Sequence, residues 1–194
     1  CGSARRRRVS LESFERLLSG DVWSVAAGLL GWTLESSIGE GTTAVTITET
    51  EAYAGNLDPA SHAFRGPTAR NQSMFGPAGT AYVYRSYGIH WCLNVVVGNE
   101  AVPHAVLIRG GEPTAGRAMM CERRGRDRNL TDGPGKLCEA LGVTGALDGA
   151  DLRRAPLRIR PGPGIGERSV ARTPRIGITK AADLPWRFVA VLQR

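Results

Sequence analysis

The chain has 194 residues, 42% hydrophobic and 22% charged, one ordinary globular domain's worth of sequence that buries roughly two thirds of its unfolded surface. No run of eighteen apolar residues occurs, so no segment reads as a membrane-spanning helix and no membrane is expected as a partner. Twenty-five basic against eighteen acidic residues leave a net charge of +7, and all the basic residues except Lys136 and Lys180 are arginines. The planar donor fork of Arg matches phosphate oxygens and suits a polyanionic partner, although a coding bias toward Arg gives the same count.

The chain opens Cys1-Gly2-Ser3 without a Met, as a truncated start does. Residues 1–9 read as a basic arm, solvated rather than folded, carrying the run Arg5 to Arg8. Ser10 caps a helix through Leu18, with Leu11, Phe14, Leu17 and Leu18 on one face. Asp21 is a second N-cap, opening a helix from Val22 to Leu30 that Gly31 ends before an extended Trp32 to Leu34. After a turn at Gly39-Glu40-Gly41, the Thr-, Val- and Ile-rich stretch Thr42 to Tyr53 is a strand, paired with the segment near Trp32. Gly55 to Gly79 is a loop whose length points to function.

Thr80 to Tyr87 and Ile89 to Val97 make a β-hairpin turning at Tyr87-Gly88. A short strand Ala105 to Arg109 follows, then a helix Thr114 to Arg124 and a loop carrying Arg123, Arg124, Arg126 and Arg128. Gly133-Pro134-Gly135-Lys136 starts a helix to Leu141, Arg160 to Gly164 is a loop, and final strands centre on Ile176 and Phe188. With no internal repeat and no linker between two cores, residues 10–194 form one α+β domain.

Cys1, Cys92, Cys121 and Cys138 are scattered without a CxxC, which points to a reducing compartment and a cytoplasmic location. His90 and Cys92 share a strand face, but two more ligands at metal-like spacing are missing, so neither a metal nor a cofactor is expected.

Several polar residues sit where folding alone has no use for them. Alternation places Val45, Ile47, Glu49, Glu51 and Tyr53 on one strand face, so two carboxylates continue an apolar stripe. Such a carboxylate costs several kcal/mol unless it is paired or performs a task, and an Arg partner or a break in the alternation explains it equally well. Tyr82 and Tyr84 share a face, Tyr87 occupies the hairpin tip, and Asn94 interrupts an apolar strand. A sheet with aromatic cross-strand pairs and a satisfied core Asn is the plain alternative. His62 stands alone in the long loop, and Gly133-Pro134-Gly135-Lys136 offers free backbone N–H groups to an anion without the spacing of a nucleotide-binding P-loop.

These features come in a familiar order: Glu49-Thr50-Glu51-Ala52-Tyr53, His62, Arg70-Asn71-Gln72-Ser73-Met74-Phe75-Gly76-Pro77, Tyr82 to Gly88, Cys92-Leu93-Asn94, Leu107-Ile108-Arg109 and Gly133 to Cys138. Over residues 10 to 190 the chain resembles the alkyladenine (3-methyladenine) DNA glycosylase family, and its ending from Thr173 to Phe188 is similar to the bacterial members.

The resemblance implies a curved antiparallel sheet with a protruding hairpin that enters the minor groove of double-stranded DNA containing damaged purines. It implies that Glu51 activates water with the help of Arg109, and that Tyr53, His62 and Tyr84 line the pocket for an extruded base. Asn94 would crowd the exocyclic amino group of guanine, and Tyr87 would fill the hole left in the duplex. Arg70, Gly135 and Lys136 are the DNA-backbone candidates. The expected enzyme is a monomer associated with the nucleoid that leaves an abasic site, since the motifs hold no lysine placed for a Schiff base. A non-catalytic damage-binding protein would need the hairpin and the basic surface but not Glu51, and an enzyme of another substrate would need neither Tyr87 at the tip nor so much Arg.

Overall fold

The computed structural model describes residues 11–98 and 102–192. The expected basic arm and the Ser10 cap therefore lie outside the described residues. Helix α1 covers residues 11–18 and buries Phe14 and Leu18. Asp21 caps α2 (Val22–Gly28), its carboxylate accepting the Ser24 N–H at 2.8 Å and the Ser24 hydroxyl at 2.7 Å. The helix stops two residues earlier than its apolar pattern predicts. Gly31 has a φ of 82°, and a Cβ there would meet the Gly164 backbone at 2.3 Å. No helix among the described residues is long and apolar enough to cross a membrane.

Strands β1 (Thr33–Ser36), β2 (Thr43–Tyr53), β3 (Ala81–Ser86), β4 (His90–Val97), β5 (His104–Ala115), β6 (Leu157–Arg160), β7 (Arg168–Thr173) and β8 (Arg187–Leu192) form one antiparallel sheet. Its order is β3-β4-β5-β2-β1-β6, with β8 also beside β2 and β7 beside β8. The sheet curls into a half-barrel, and the chain is an α+β fold. Helices α3 (Arg117–Arg124) and α4 (Pro134–Leu141) pack on each other, and α4 lies across β4 and β5.

One face of the sheet carries the main core: Val45, Ile47 and Ala52 from β2, Ala81 and Val83 from β3, Leu93, Val95 and Val97 from β4, and Val106 and Ile108 from β5. α1, α2 and α4 cover it with Phe14, Leu18, Val25, Leu29, Leu137 and Leu141. A smaller cluster of Ala63, Met74, Tyr82, Val96 and Ala105 occupies the other face, beneath the long loop between β2 and β3. Asn71 organises that loop: its Nδ2 donates to the carbonyls of His62 and Gly66 at 2.9 and 3.1 Å, and its Oδ1 accepts the Thr68 N–H.

The two carboxylates do not continue the Val45–Ile47 stripe, contrary to simple alternation. Between Ile47, opposite Gly111, and Glu49, opposite Gly110, Thr48 is an extra residue; Arg109 is the matching extra residue on β5 before Thr50 meets Ile108. This double bulge exchanges the faces of β2. Beyond it Thr50 and Ala52 point to the core, the Thr50 hydroxyl donating to the Ala26 carbonyl of α2 at 2.7 Å, while Glu49, Glu51 and Tyr53 turn to the opposite face. At the same place the neighbour of β2 changes from β1 to β8.

Other elements differ from expectation too, among them β6, an unforeseen strand whose last residue, Arg160, falls where a loop is expected. β5 runs on to Ala115 and α3 starts at Arg117 rather than Thr114, because pairing with β2 resumes beyond the bulges as far as Ala44 opposite Ala115 and overrides the turn-like Gly110-Gly111 and Pro113. The strand before β8 is Arg168–Thr173 rather than one centred on Ile176. Ile176 follows Pro174 in an irregular segment that Arg175 draws inward, and β7 itself is too polar for its pattern to announce a strand.

Candidate active site

The residues on the second face line up by strand register. Tyr82 of β3 lies opposite Asn94 of β4, Asn94 opposite Leu107 of β5, Leu107 opposite Glu51 of β2, and Glu51 opposite Arg187 of β8. One row across five strands thus holds Asn94 and Glu51, with Tyr53 two residues further along β2 on the same face.

Glu51 is fully buried, and each of its oxygens is engaged. Oε1 accepts the Ile176 backbone N–H at 2.8 Å; Oε2 accepts the Tyr53 hydroxyl at 2.9 Å and lies 3.3 Å from Arg109 Nη1. Arg109 Nε donates to Glu49 Oε1 at 2.7 Å, and Arg187 Nε donates to the same oxygen at 2.7 Å. Glu49 thereby holds Arg109 in place, and Arg109 faces Glu51. Burial works against the Arg109 cation, but the charges of Glu51 and Glu49 more than compensate and hold its pKa above the usual value. Burial, reinforced by Glu51, raises the pKa of the Tyr53 hydroxyl, so that it stays a donor.

A pocket of about 250 Å³ opens beside this cluster, lined among others by Tyr53, His62, Tyr82, Tyr84 and Asn94. Tyr84 stacks on Tyr82 with centroids 5.4 Å apart, and His62 stands edge-on to Tyr84 at 4.5 Å. His62 Nδ1 is 2.8 Å from the Tyr82 hydroxyl, and Asn94 Nδ2 donates to the Tyr82 carbonyl at 3.1 Å. Desolvation of the packed side of the ring, with the Arg70 charge, lowers the His62 pKa, which favours the neutral imidazole. Tyr53, Tyr84 and Tyr87 also line a second cavity of about 560 Å³, walled further by Arg109, Arg124, Arg126, Gly135, Lys136 and Ile176. Glu51 touches neither space directly. Its three partners Tyr53, Arg109 and Ile176 form the wall between it and the larger cavity.

At the hairpin tip Tyr87 and Gly88 have φ values of 49° and 70°, and the Ile89 N–H donates to the Ser86 carbonyl at 3.0 Å, a tight β-turn that leaves Ile89 as the third residue between the paired Ser86 and His90. The Tyr87 side chain is 86% exposed, next to an exposed Ile89. Arg70 lines the smaller pocket, its Nη2 donating to the Arg85 carbonyl. Gly135 packs so closely on His90 that a Cβ would meet its side chain at 2.8 Å, while Lys136 pairs with Asp132 at 3.1 Å. The structure therefore places Arg109, Tyr53, His62, Tyr84, Asn94, Tyr87, Arg70, Gly135 and Lys136 around two adjoining cavities that share Tyr53, Tyr84 and Tyr87, with Glu51 buried behind Tyr53 and Arg109.

Sequence reading missed Arg187, Tyr82 as the partner of His62, and the pair Asp58–Arg175. The apolar–polar pattern flagged Glu49 and Glu51, but nothing local ties them to an Arg 138 residues away. Among the described residues no group of three or more His, Cys, Asp or Glu is placed to hold a metal ion.

The profile of the methylpurine-DNA glycosylase family matches residues 16–193. A protein of Methanoculleus marisnigri named "Putative 3-methyladenine DNA glycosylase" is 51% identical over 173 residues, covering 87% of this chain and 89% of its own. Proteins of the same name from Rhodopseudomonas palustris and Frankia casuarinae are 54% and 49% identical, each covering 86% of this chain and 79% and 83% of their own. The chain belongs to the methylpurine-DNA glycosylase family and is a DNA glycosylase.

Proposed function

We propose that this glycosylase draws a damaged purine out of duplex DNA into the aromatic pocket and hydrolyses its N-glycosidic bond, leaving an abasic site. The observation that carries the reading is the Glu51 carboxylate, held by Tyr53, Ile176 and Arg109, all three of which line the larger cavity, with Tyr53 lining the aromatic pocket as well. The purine departs with the electron pair of the glycosidic bond, water adds to the sugar carbon, and Glu51 takes the proton of that water. A carboxylate in this role also stabilises the cationic sugar of the transition state, and base catalysis of this kind contributes roughly 10²–10⁴-fold. The 3.3 Å contact to Arg109 is the longest of the three around Glu51.

Extrusion of a base costs a few kcal/mol, less for a poorly paired lesion. Tyr87 at the tip offsets part of it by filling the vacated stack, and Tyr53, His62 and Tyr84 recover about 1–3 kcal/mol for each ring on which the base stacks. A lesion with a fixed positive charge both stacks well on these rings and leaves easily, so alkylated purines are the preferred class, adenine-type lesions above guanine because Asn94 narrows the pocket floor. Neutral hypoxanthine, which must be protonated on leaving, is slower. Arg70, Gly135 and Lys136 engage the DNA backbone. On this reading the enzyme works as a monomer in the nucleoid.

Alkylated duplex DNA treated with the enzyme and then with alkali tests the proposal, since abasic sites appear as strand breaks. Glu51→Gln should retain lesion binding while base release falls by at least about 10²-fold. Normal turnover by that variant would remove Glu51 from the reaction, whereas full activity of Glu51→Gln in binding with none in wild-type release would favour a damage-binding protein.

A further inference from the structure

Asp58 and Arg175 form an ion pair with neither side chain exposed to solvent, joining the loop after β2 to the segment after β7, which line the smaller pocket through Ala60, Ser61 and His62 and through Gly177 and Ile178. Arg175 Nη1 and Nη2 donate to Asp58 Oδ2 and Oδ1 at 2.5 and 2.9 Å, the two-pronged geometry that Arg alone offers. A buried pair is weak evidence for stability, because desolvating both charges consumes much of their attraction. What the pair touches is more informative. The guanidinium lies 4.7 Å from the ring centroid of Tyr53 and 5.0 Å from that of Trp186, and Nη1 also donates to the carbonyl of Ala52, the residue between Glu51 and Tyr53. The next residue, Ile176, supplies the N–H bound to Glu51 Oε1, and the ring that Arg175 covers supplies the hydroxyl bound to Oε2. Asp58 Oδ1 also accepts the Ala60 N–H at 3.0 Å, which closes the turn leading to His62.

We infer that Asp58 and Arg175 are positioning residues that latch the segment following β7 against Glu51, so that the buried pair sets the orientation of the general base. The inference rests on the proposed role of Glu51. No regular strand or helix holds residues 174–178, and the side chain of Ile176 is 50% exposed, so the Arg175 anchor is what keeps the Ile176 N–H on the carboxylate. Arg175 lines neither the smaller pocket nor the larger cavity and acts through Tyr53 and Ile176.

Asp58→Asn removes the charge at nearly constant shape, and Arg175→Lys keeps the charge while losing the fork and the stacking plane. In folded variants, single-turnover base release from alkylated duplex should fall about 10²-fold, the scale of a misplaced reacting group. Affinity for a duplex bearing a hydrolysis-resistant lesion nucleoside should stay within about threefold of the wild type, since uniform binding is untouched. In a Glu51→Gln background Asp58→Asn should add almost nothing to the loss. Equal losses of rate and affinity, or a rate within about threefold of wild type, would overturn the latch.

Hydrogen exchange on the unsubstituted enzyme tests the latch without asking a variant to fold. The Ile176 amide should exchange slowly for an irregular segment, and exchange at open-loop rates would overturn the inference. Failure of the unsubstituted enzyme to release any base from alkylated DNA would instead refute the role of Glu51, and with it the positioning role.

Discussion

Glu49 and Glu51, two residues apart, do different work because their partners differ. Glu49 is a strut: Arg109 and Arg187 both donate to one of its oxygens, and its contact with Arg109 orients the guanidinium that faces Glu51. Burial pushes the Glu49 carboxyl up, but the hydrogen bonds and charges of Arg187 and Arg109 outweigh burial and hold it below its usual 4.5. A carboxyl group with a lower pKa folded than unfolded stabilises the fold fully above the unfolded value and loses that contribution as pH falls through the folded one. Melting temperature should therefore decline as pH drops below 4.5, and Glu49→Gln should shrink that decline. An unchanged acid limb in the variant would show that the strut carries no linkage. The residue types of both carboxylates stand out in the sequence, as does their nearness to Tyr53. Their division of labour does not, because Arg187 is 138 residues from Glu49.

The double bulge is the feature of β2 on which the site depends, since the faces of a strand alternate residue by residue and one extra residue exchanges them. Deleting Thr48 should rotate Glu51 toward Val45 and Ile47 in the main core, burying an unpaired carboxylate. We expect loss of a cooperative thermal transition by circular dichroism and no glycosylase activity; a variant that melts like wild type and excises bases would show that the register tolerates the slip. The β3–β4 hairpin is set locally, by alternating strands joined at Tyr87-Gly88, and it is correspondingly legible in the chain. Tyr87 keeps a positive φ of 49° and is 86% exposed, so truncating it leaves the core untouched. Tyr87→Ala should leave the melting temperature nearly unchanged and reduce the fluorescence change of a base analogue extruded from duplex DNA. An undiminished signal would argue that the tip does not act as a wedge.

Across the molecule, the exposed Arg126 and the half-exposed Lys136 border the larger cavity while the exposed Arg70 borders the smaller, a cationic rim on a chain of net charge +7; Arg109 and Arg124 beside them are already paired with carboxylates. Binding to duplex DNA should weaken with salt along a log–log slope of about 0.9 per phosphate neutralised, and Lys136→Ala should lower that slope by about one such unit. A flat salt response would contradict phosphate contact along this rim. The general plan of the molecule is legible in its sequence: α1, α2, β2, the hairpin, α4 and the long loop follow from period-two and helical patterns, an Asp cap and turn residues, all of them short-range energetics. Most of the cleft residues were equally visible through the motifs that resemble the family. The extension of β5, the polar strand β7, the exchange of faces at Thr48 and the Asp58–Arg175 pair were not. Each depends on pairing or charge contact between distant segments, 117 residues apart in the case of Arg175 and Asp58, and local pattern carries no information about which partner a folded chain brings near.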